Sequence, residues 1–242
     1  DHIDGLVHLG WTGVSGSDRN SLSQVTNILT SAQLVLLTNK LKGRFFISTG
    51  SQAEYARFVG KLDESCLEGP TSLYGKSKLS TKYICEHLCE EYGIRFVWVR
   101  VFSTYGPRDN DWWMIPSLIK KIASKEIPPL TFGEQKWDFI HVSDAAAAIV
   151  GLSLNESATG VFNLGCGNAP PLRATIELIR DTINPQAELG FGQVPYRDDQ
   201  VMHLEADVSR LNRMIGWTPK ITIANGIKET VAWFIFDDLN KS

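Results

Sequence analysis

The residues best suited to proton-transfer chemistry in this 242-residue chain are Tyr74 and Lys78. They lie four positions apart at the start of a predicted helix, so their side chains share one face about one turn apart. An isolated tyrosine has a pKa of about 10, but a neighbouring ammonium favours its phenolate. The pair could therefore take a proton from a hydroxyl group. The alternative is a chance pair on a solvated helix face.

A second polar group lies upstream, at the end of a predicted strand. Ser51 opens the run Ser-Gln-Ala-Glu-Tyr, 23 residues before Tyr74. Its hydroxyl could hold a substrate oxygen beside the phenol of Tyr74. The alternative is a polar loop that closes the strand.

The elements that position these residues alternate between strands and helices. Strands are predicted over residues 4–10, 44–48, 94–101 and 137–142, and helices over 21–41, 73–91, 116–124, 172–183 and 224–236, with a further helix from Asp144. This alternation predicts an α/β fold with a parallel sheet. Ligands bind beyond the carboxyl ends of such strands, where three polar clusters fall, at 10–16, 48–51 and 102–107.

Composition and charge restrict the partners. The net charge is −3 and the pI about 6.0, with no cluster of Lys and Arg, which argues against nucleic acid or an anionic membrane as a partner. No apolar run reaches the ~18 residues that span a bilayer, and the first residues do not resemble a signal peptide. We therefore expect a cytoplasmic protein.

The four cysteines do not predict a metal site. Cys85 and Cys89 are four residues apart on a predicted helix, but no second pair at zinc spacing accompanies them. We expect Cys66, Cys85, Cys89 and Cys166 to be buried, reduced thiols, and we expect no metal.

Four ordered motifs resemble those of a known family. They are residues 51–55, Tyr74-Gly-Lys-Ser-Lys78, Arg100-Val-Phe-Ser-Thr-Tyr-Gly-Pro107 and Trp137-Asp-Phe-Ile-His-Val-Ser-Asp144, and Ile215-Gly-Trp-Thr-Pro219 is similar to the family's C-terminal signature. The chain resembles the extended short-chain dehydrogenases, the NAD-dependent epimerase/dehydratase proteins that act on nucleotide sugars. The resemblance covers essentially the whole chain.

The resemblance implies a Rossmann-like, doubly wound parallel sheet with a smaller α/β C-terminal substrate lobe. Residues 1–107 and 137–164 would form the dinucleotide-binding domain. Residues 108–136 and 165–242 would form the substrate lobe. The expected cofactor is NAD, with NADP as the alternative, and the expected ligand is a nucleotide sugar.

The resemblance also implies roles for individual residues. Tyr74 would be the base and acid, and Lys78 would tune it and bind the nicotinamide ribose. Ser51 would orient the reacting hydroxyl, with Thr49 as a second candidate. Phe102 falls where the family contacts the nicotinamide.

At the substrate end the chain departs from the family pattern. Ser103 replaces the usual asparagine of Phe-Asn-x-Tyr-Gly-Pro, and Trp137 replaces a basic residue, which puts the usual contacts with the substrate phosphates in doubt. Arg197 stands where an arginine commonly meets the nucleotide diphosphate; the alternative for it is a surface salt bridge. Gln52 is a further candidate for substrate binding.

Gly10, Gly13 and Gly16 have the layout of a dinucleotide-binding loop, but we do not assign them to one. In the family the phosphate-binding glycines precede the catalytic serine by about a hundred residues. Residues 7–10 instead resemble the fourth strand of the family. Leu9, Gly10, Trp11 and Thr12 are therefore expected cofactor contacts, on the ribose and nicotinamide side.

On that alignment the first three strands, roughly 60 residues that would include the pyrophosphate loop, are absent. We expect the chain alone to bind dinucleotide poorly, and the residue that would select NAD or NADP is not among those present.

Three reactions compete within the family. A dehydratase needs an additional acid and base, which the family supplies as Asp-Glu after the catalytic hydroxyl. Gln52 and Ala53 stand there and neither titrates, which argues against dehydration. Epimerisation at C4 through a 4-keto intermediate is favoured over reduction of a 4-keto-sugar. A non-catalytic domain that only binds a ligand or partner is the other class of function.

The family resemblance implies a homodimer. The helices at 21–41 and 73–91 would pair across a two-fold axis through outer apolar positions such as Leu34, Ile84 and Leu88. The alternative is that these side chains face the chain's own sheet.

Overall fold

Strands and helices alternate along the chain, as the hydrophobic pattern predicts. The computed structural model describes residues 2–57 and 59–241. Its strands are β1 (Gly5–His8), β2 (Phe45–Ser51), β3 (Gly60–Leu62), β4 (Arg95–Val101), β5 (Thr104–Tyr105), β6 (Pro129–Leu130), β7 (Lys136–Trp137), β8 (Ile140–His141), β9 (Gly160–Leu164), β10 (Gly190–Phe191) and β11 (His203–Ala206). Its α-helices are α1 (Gln24–Lys40), α2 (Leu73–Glu91), α3 (Met114–Ala123), α4 (Val142–Leu154), α5 (Leu172–Ile183), α6 (Ser209–Ile215) and α7 (Ile223–Lys241).

The main sheet has the strand order β1-β2-β4-β9, and all its strands are parallel. Each parallel pair requires a crossover, which α1, α2 and α4 provide. Ser51 pairs with Val101, so the carboxyl ends of β2 and β4 lie side by side. The α/β fold with a parallel, Rossmann-type sheet is therefore confirmed. Within the described chain β1 pairs with β2 alone, and Val7 and Leu9 beside that edge are exposed.

The two faces of this sheet are covered by different helices. Because side chains alternate along a strand, Phe46 points to one face and Ile47 to the other. On the first face the core consists of α1 and α2 side chains against the sheet: Val35, Cys85, Cys89, Phe46, Phe96 and Trp98. On the second face it is built on α4: Ala145, Ala148, Leu152, Ile47, Val97 and Val99. This is the doubly wound arrangement.

A second hydrophobic core lies among α3, α5 and α7. Its buried side chains are Ile115, Leu118, Ile119 and Ile122 on α3, Ile176 and Ile179 on α5, and Ile227, Val231 and Phe234 on α7. Three small parallel sheets have the strand orders β10-β6, β3-β11-β7 and β5-β8. None of the described helices is both long and apolar enough to cross a membrane.

The predicted strand over residues 137–142 is wrong. The segment divides into β7, which pairs with β11, and β8, which pairs with β5, and α4 already begins at Val142. Asp138 lies between the two strands, and its carboxylate accepts hydrogen bonds from the backbone amides of Cys166, Gly167 and Ala206. These bonds turn the chain from one sheet to another.

The segment around α6, which the sequence analysis did not predict, packs on the main sheet. Leu211 and Trp217 belong to the core cluster of α4 and the sheet. The Trp217 indole donates to the backbone oxygen of Asp144, and the Asp144 carboxylate accepts from the amides of Lys220 and Ile221. This part of the predicted substrate lobe therefore packs against the main parallel sheet.

Candidate active site

The carboxyl end of β2 holds Ser51 in a fixed loop. Ser51 caps the 3-10 helix Gln52–Glu54, and its Oγ accepts from the Ala53 amide at 3.2 Å. The Glu54 carboxylate in turn accepts from the Ser51 amide at 2.7 Å, which completes a capping box. Because the Ser51 oxygen acts as an acceptor here, its own O–H remains available as a donor, and the Tyr74 hydroxyl is within its reach.

Glu54 also anchors this loop to the sheet. It is fully buried and accepts from the Trp98 indole and from Arg100 Nε, the latter at 2.8 Å. Burial raises the pKa of Glu54, and the charge of Arg100 opposes that rise. Arg100 extends the network to Glu68, which also accepts from Lys82. Burial raises the pKa of Glu68, but hydrogen bonds from Lys82, Tyr83 and Arg100 outweigh it and lower the pKa to about 2.

The start of α2 approaches the Ser51 loop closely. Ser72 caps the helix, and its Oγ accepts from the Gly75 amide at 3.1 Å. A Cβ on Gly75 would lie 2.3 Å from the Ala53 carbonyl oxygen, so only glycine permits this approach. The close contact brings Tyr74 to the end of β2.

Tyr74 and Lys78 are both buried beside Ser51. Lys78 is 3% exposed, and its Nζ donates to the Thr49 carbonyl oxygen at 2.6 Å. Burial lowers the pKa of Lys78 to about 7, and the charge of Glu54 opposes that fall. Burial raises the pKa of Tyr74, whereas the Ser51 hydroxyl and the charge of Arg19 lower it. A net lowering of the Tyr74 pKa by Lys78, as the sequence predicts, is not found, because burial dominates.

The loop between β1 and α1 covers this pair. The Trp11 indole lies 3.8 Å from Lys78 Nζ and packs edge-on to Tyr74, with ring centres 6.2 Å apart. The Arg19 guanidinium lies 4.2 Å from the centre of the Tyr74 ring. Sequence reasoning missed Arg19; its only signal was a cation in the polar run after β1. The side chain of Gln24 fills the glycine loop and donates to the Gly13 and Asp18 carbonyl oxygens.

The other residues predicted to contact the cofactor or the substrate lie at or near the ends of β1, β2 and β4. Leu9, Gly10 and Thr12 are exposed in the loop after β1, and Gln52 is half-buried after Ser51. Thr49 contributes its backbone oxygen to Lys78. Phe102 is buried directly after Val101, which pairs with Ser51, so it lies at the predicted strand end.

At the substrate end, the two departures from the family pattern contact each other. The Trp137 indole donates to the Ser103 hydroxyl at 2.8 Å. Arg197 is 76% exposed and lies 3.6 Å from Asp199, which is the surface salt bridge left open by the sequence. Its contact with a diphosphate remains a prediction.

The cysteines agree in part with expectation. Cys85 and Cys89 are buried, and burial raises the pKa of each thiol to about 12. Cys66 and Cys166 are only half-buried. Within residues 2–57 and 59–241 no group of three or more His, Cys, Asp or Glu side chains is placed to hold a metal.

The residues present fit the nicotinamide end of a dinucleotide. Ser51, Tyr74 and Lys78 converge at the carboxyl end of β2, where α/β sheets bind ligands, and Phe102 lies beside them. The glycine loop at 10–16 is not a phosphate cradle, because the Gln24 side chain occupies it.

Known proteins resemble this chain in sequence and in fold. The model of the NAD dependent epimerase/dehydratase family matches residues 1–165. CDP-abequose synthase of Salmonella muenchen is 30% identical over 240 residues, which cover 96% of this chain and 77% of that protein. UDP-N-acetylglucosamine 4-epimerase from Methanobrevibacter ruminantium M1, solved in complex with UDP-N-acetylmuramic acid, superposes with a TM-score of 0.87 at 28% identity, over 97% of this chain and 77% of that one.

RMD from Pseudomonas aeruginosa, solved with NADPH, has a TM-score of 0.86 over 97% of this chain and 82% of that one. Its 20% identity supports the fold alone. Taken with the family match over residues 1–165, these findings show that the chain belongs to the NAD-dependent epimerase/dehydratase family, whose members are NAD(P)-dependent nucleotide-sugar enzymes.

Proposed function

We propose that this protein epimerises a nucleotide sugar at C4 through a 4-keto intermediate. The observation that carries the proposal is the convergence of Ser51, Tyr74 and Lys78 at one strand end, followed by Gln52 and Ala53. Neither residue at 52 or 53 titrates, so the acid and base that dehydration requires are not supplied there.

Each side chain has a defined task in this reaction. The Ser51 O–H donates to the C4 oxygen of the sugar and orients it towards Tyr74. Tyr74 accepts the C4 hydroxyl proton as the carbonyl forms. It returns the proton after the keto sugar has rotated to present its opposite face. Lys78 places a positive charge beside the phenolate and would meet the nicotinamide ribose, with Leu9, Gly10, Trp11, Thr12 and Phe102 lining the same end.

The chemistry that NAD supplies when bound is removal of hydride from C4 and its return to the opposite face. Burial of Tyr74 and Lys78 excludes water from the point where the proton moves. No net oxidant is consumed, because both the proton and the hydride return to the sugar.

A second candidate is the reduction of a nucleotide 4-keto-sugar. It is favoured by the 30% identity with a protein named CDP-abequose synthase, which directs attention to CDP-linked sugars and to a net synthetic reaction. Ser51, Tyr74 and Lys78 would take part in this reduction as well. The difference is that Tyr74 begins protonated and donates its proton to the carbonyl oxygen. One reduced dinucleotide is then consumed for each product molecule.

Product analysis with UDP-, CDP-, dTDP- and GDP-sugars separates these functions. For epimerisation we expect two interconverting sugars in the NMR spectrum and no change in absorbance at 340 nm when NAD is added. For reduction we expect NADH or NADPH to be consumed in proportion to product. No turnover of any sugar by a chain extended with the family's pyrophosphate-binding segment, together with no bound nicotinamide, would favour a domain that only binds.

Tyr74→Phe tests the assigned base. Turnover should fall by orders of magnitude, while nucleotide-sugar affinity measured by calorimetry stays nearly unchanged. Tyr92→Phe is the matched control, because Tyr92 is an exposed tyrosine at the end of the same helix. Unchanged turnover in Tyr74→Phe would refute the assignment.

We also propose that α1 and α2 form a homodimer interface, in keeping with the family resemblance. Of the positions expected to face outward, Ile84 is exposed, but Leu34 and Leu88 pack partly on the chain's own core. The exposed apolar side chains of α1 are instead Val25, Leu29, Leu36 and Leu37. Leu29→Glu should convert a dimer to a monomer in light scattering, whereas Leu154→Glu, on exposed α4 surface, should not.

A further inference from the structure

The side chain of Trp11 lies directly against the ammonium group of Lys78. Lys78 Nζ is 3.8 Å from the centre of the indole ring, well within the distance at which a cation is attracted to an aromatic face. The same ammonium is 6.0 Å from the centre of the Tyr74 ring, so the indole is the nearer aromatic group. Trp11 and Lys78 are 67 residues apart in sequence, and the fold brings them together.

Trp11 is held in this position by α1. Its Nε1 donates to Gln24 Oε1 at 2.8 Å, and Gln24 is completely buried. The neighbouring Thr12 donates from its amide and its hydroxyl to Asn27 Oδ1, and Asn27 donates back to the Thr12 carbonyl oxygen. An indole fixed by buried amides on a helix is a built feature, not a loose surface contact.

Few other groups stabilise the charge of Lys78. The Thr49 carbonyl oxygen accepts its hydrogen bond, and Glu54 favours the cation without forming an ion pair with it among the described residues. His8 lies nearby on β1, and burial and the charge of Lys78 both lower the pKa of His8, which disfavours a second cation there. The second cation nearby, Arg19, lies over Tyr74.

We propose that Trp11 is a positioning residue for Lys78. The face of the Trp11 indole holds the Lys78 ammonium in place beside Tyr74 and in its charged form. This inference deepens the proposed function and rests on it, because it assigns Trp11 to the proton-transfer site of that reaction. Trp11 acts through Lys78 and does not itself transfer a proton.

The charge state of Lys78 is sensitive to such a contact. Burial lowers the pKa of Lys78 to about 7, so its charged fraction near neutral pH responds to any group that stabilises only the cation. A buried cation–π contact corresponds to a change of about one pH unit in the pKa of the lysine. Loss of the indole would therefore reduce the charged fraction of Lys78 near neutral pH.

The test follows the titration of Lys78 by NMR of protein labelled at lysine Cε, with the Lys78 signal assigned from its loss in Lys78→Arg. Trp11→Leu should lower the pKa of Lys78 by about one pH unit, and Trp11→Phe, which keeps an aromatic face, should restore most of that difference. Trp112→Leu is the matched control, since Trp112 is exposed and far along the chain. Equal titration in the wild type and Trp11→Leu, or an equal fall in Trp11→Phe, would overturn the proposal.

A second measurement covers the case in which Trp11→Leu does not fold. Site-specific incorporation of fluorinated tryptophan at position 11, with the other six tryptophans unchanged, weakens the attraction of that ring for a cation with little change in its shape. The pKa of Lys78 should then fall in the otherwise unaltered chain, and an unchanged pKa would equally refute the inference. The titration needs no turnover, so failure of this inference is distinguishable from failure of the proposed epimerase or reductase activity.

Discussion

Replacement of Lys78 by methionine should make the protein more stable at neutral and acidic pH, although it removes a residue of the proposed site. Lys78 is buried among largely neutral groups, and its ammonium is therefore poorly solvated. Methionine has a similar length and carries no charge, so it can fill the same space. The expected gain in stability is a direct consequence of relieving that charge.

The magnitude follows from the pKa of Lys78, which burial lowers from 10.5 to about 7. One pH unit corresponds to about 1.4 kcal/mol, so the charged lysine destabilises the folded state by about 5 kcal/mol below pH 7. Methionine leaves the Thr49 carbonyl without this donor, at about 1–3 kcal/mol. We therefore expect Lys78→Met to raise the free energy of unfolding by about 2–4 kcal/mol at pH 6.

The sign with pH is also determined. Between pH 7 and 10.5 the unfolded chain holds the lysine proton more tightly than the folded chain. The wild type should therefore gain stability as pH rises through this window. The amount by which its free energy of unfolding lies below that of Lys78→Met should shrink by about 3 kcal/mol between pH 6 and pH 9.

Urea unfolding at pH 6 and pH 9 measures this difference. Lys82→Met is the matched control on the same helix, because Lys82 is also buried but lies 2.7 Å from the Glu68 carboxylate. That variant should be less stable than the wild type, since it leaves a carboxylate with one partner fewer. If Lys78→Met is destabilised by the same amount at both pH values, the ammonium is not a strained charge and the reasoning fails.

Three further predictions concern the surroundings of the site. Gly75→Ala should lower stability by about 1–3 kcal/mol in thermal melts, because the new Cβ would lie 2.3 Å from the Ala53 carbonyl oxygen; an unchanged melting temperature would contradict this. The pKa of Glu68 is lowered to about 2, so its ionised carboxylate stabilises the folded chain above pH 4.5, and this stabilisation is lost as pH falls towards 2. In acid titrations, Glu68→Gln should therefore lose less stability over that range than the wild type. A double-mutant cycle of Ser103→Ala and Trp137→Phe should give a coupling of about 0.5–1.5 kcal/mol in urea unfolding, and strict additivity would argue against their hydrogen bond.

The sequence predicts well what depends on local pattern. The helix over 73–91 has the predicted bounds, because Ser72 caps its start and its apolar face is regular. The strand predicted over 44–48 continues to Ser51, because its last residues pair with β4 although they are small and polar. Pairing with a neighbouring strand determined that end, and local propensity did not.

What the sequence could not predict depends on contacts between distant segments. The split of 137–142 results from Asp138, whose carboxylate binds backbone amides near residue 166 and residue 206. Likewise, the positions of Ser51 and Tyr74 follow from motif spacing, but the covering of Lys78 by Trp11 and of Tyr74 by Arg19 does not. The loop between β1 and α1, which carries Trp11 and Arg19, reaches α2 because of the crossover from β1 through α1. That crossover belongs to the tertiary fold.

Among the buried cations near the Ser51 loop, Arg100 and Lys78 have opposite surroundings. Arg100 is neutralised by Glu54 and Glu68, so that its charge is fixed and the network anchors the loop. Lys78 contacts the Thr49 carbonyl oxygen and the Trp11 indole, which bind a cation but carry no negative charge to neutralise it. Burial lowers the pKa of Lys78 to about 7, and a carboxylate in direct contact with Nζ would oppose that fall by stabilising the cation. Positional precision and adjustable charge are thus provided by different residues, which suits the proton transfer that we propose for Tyr74.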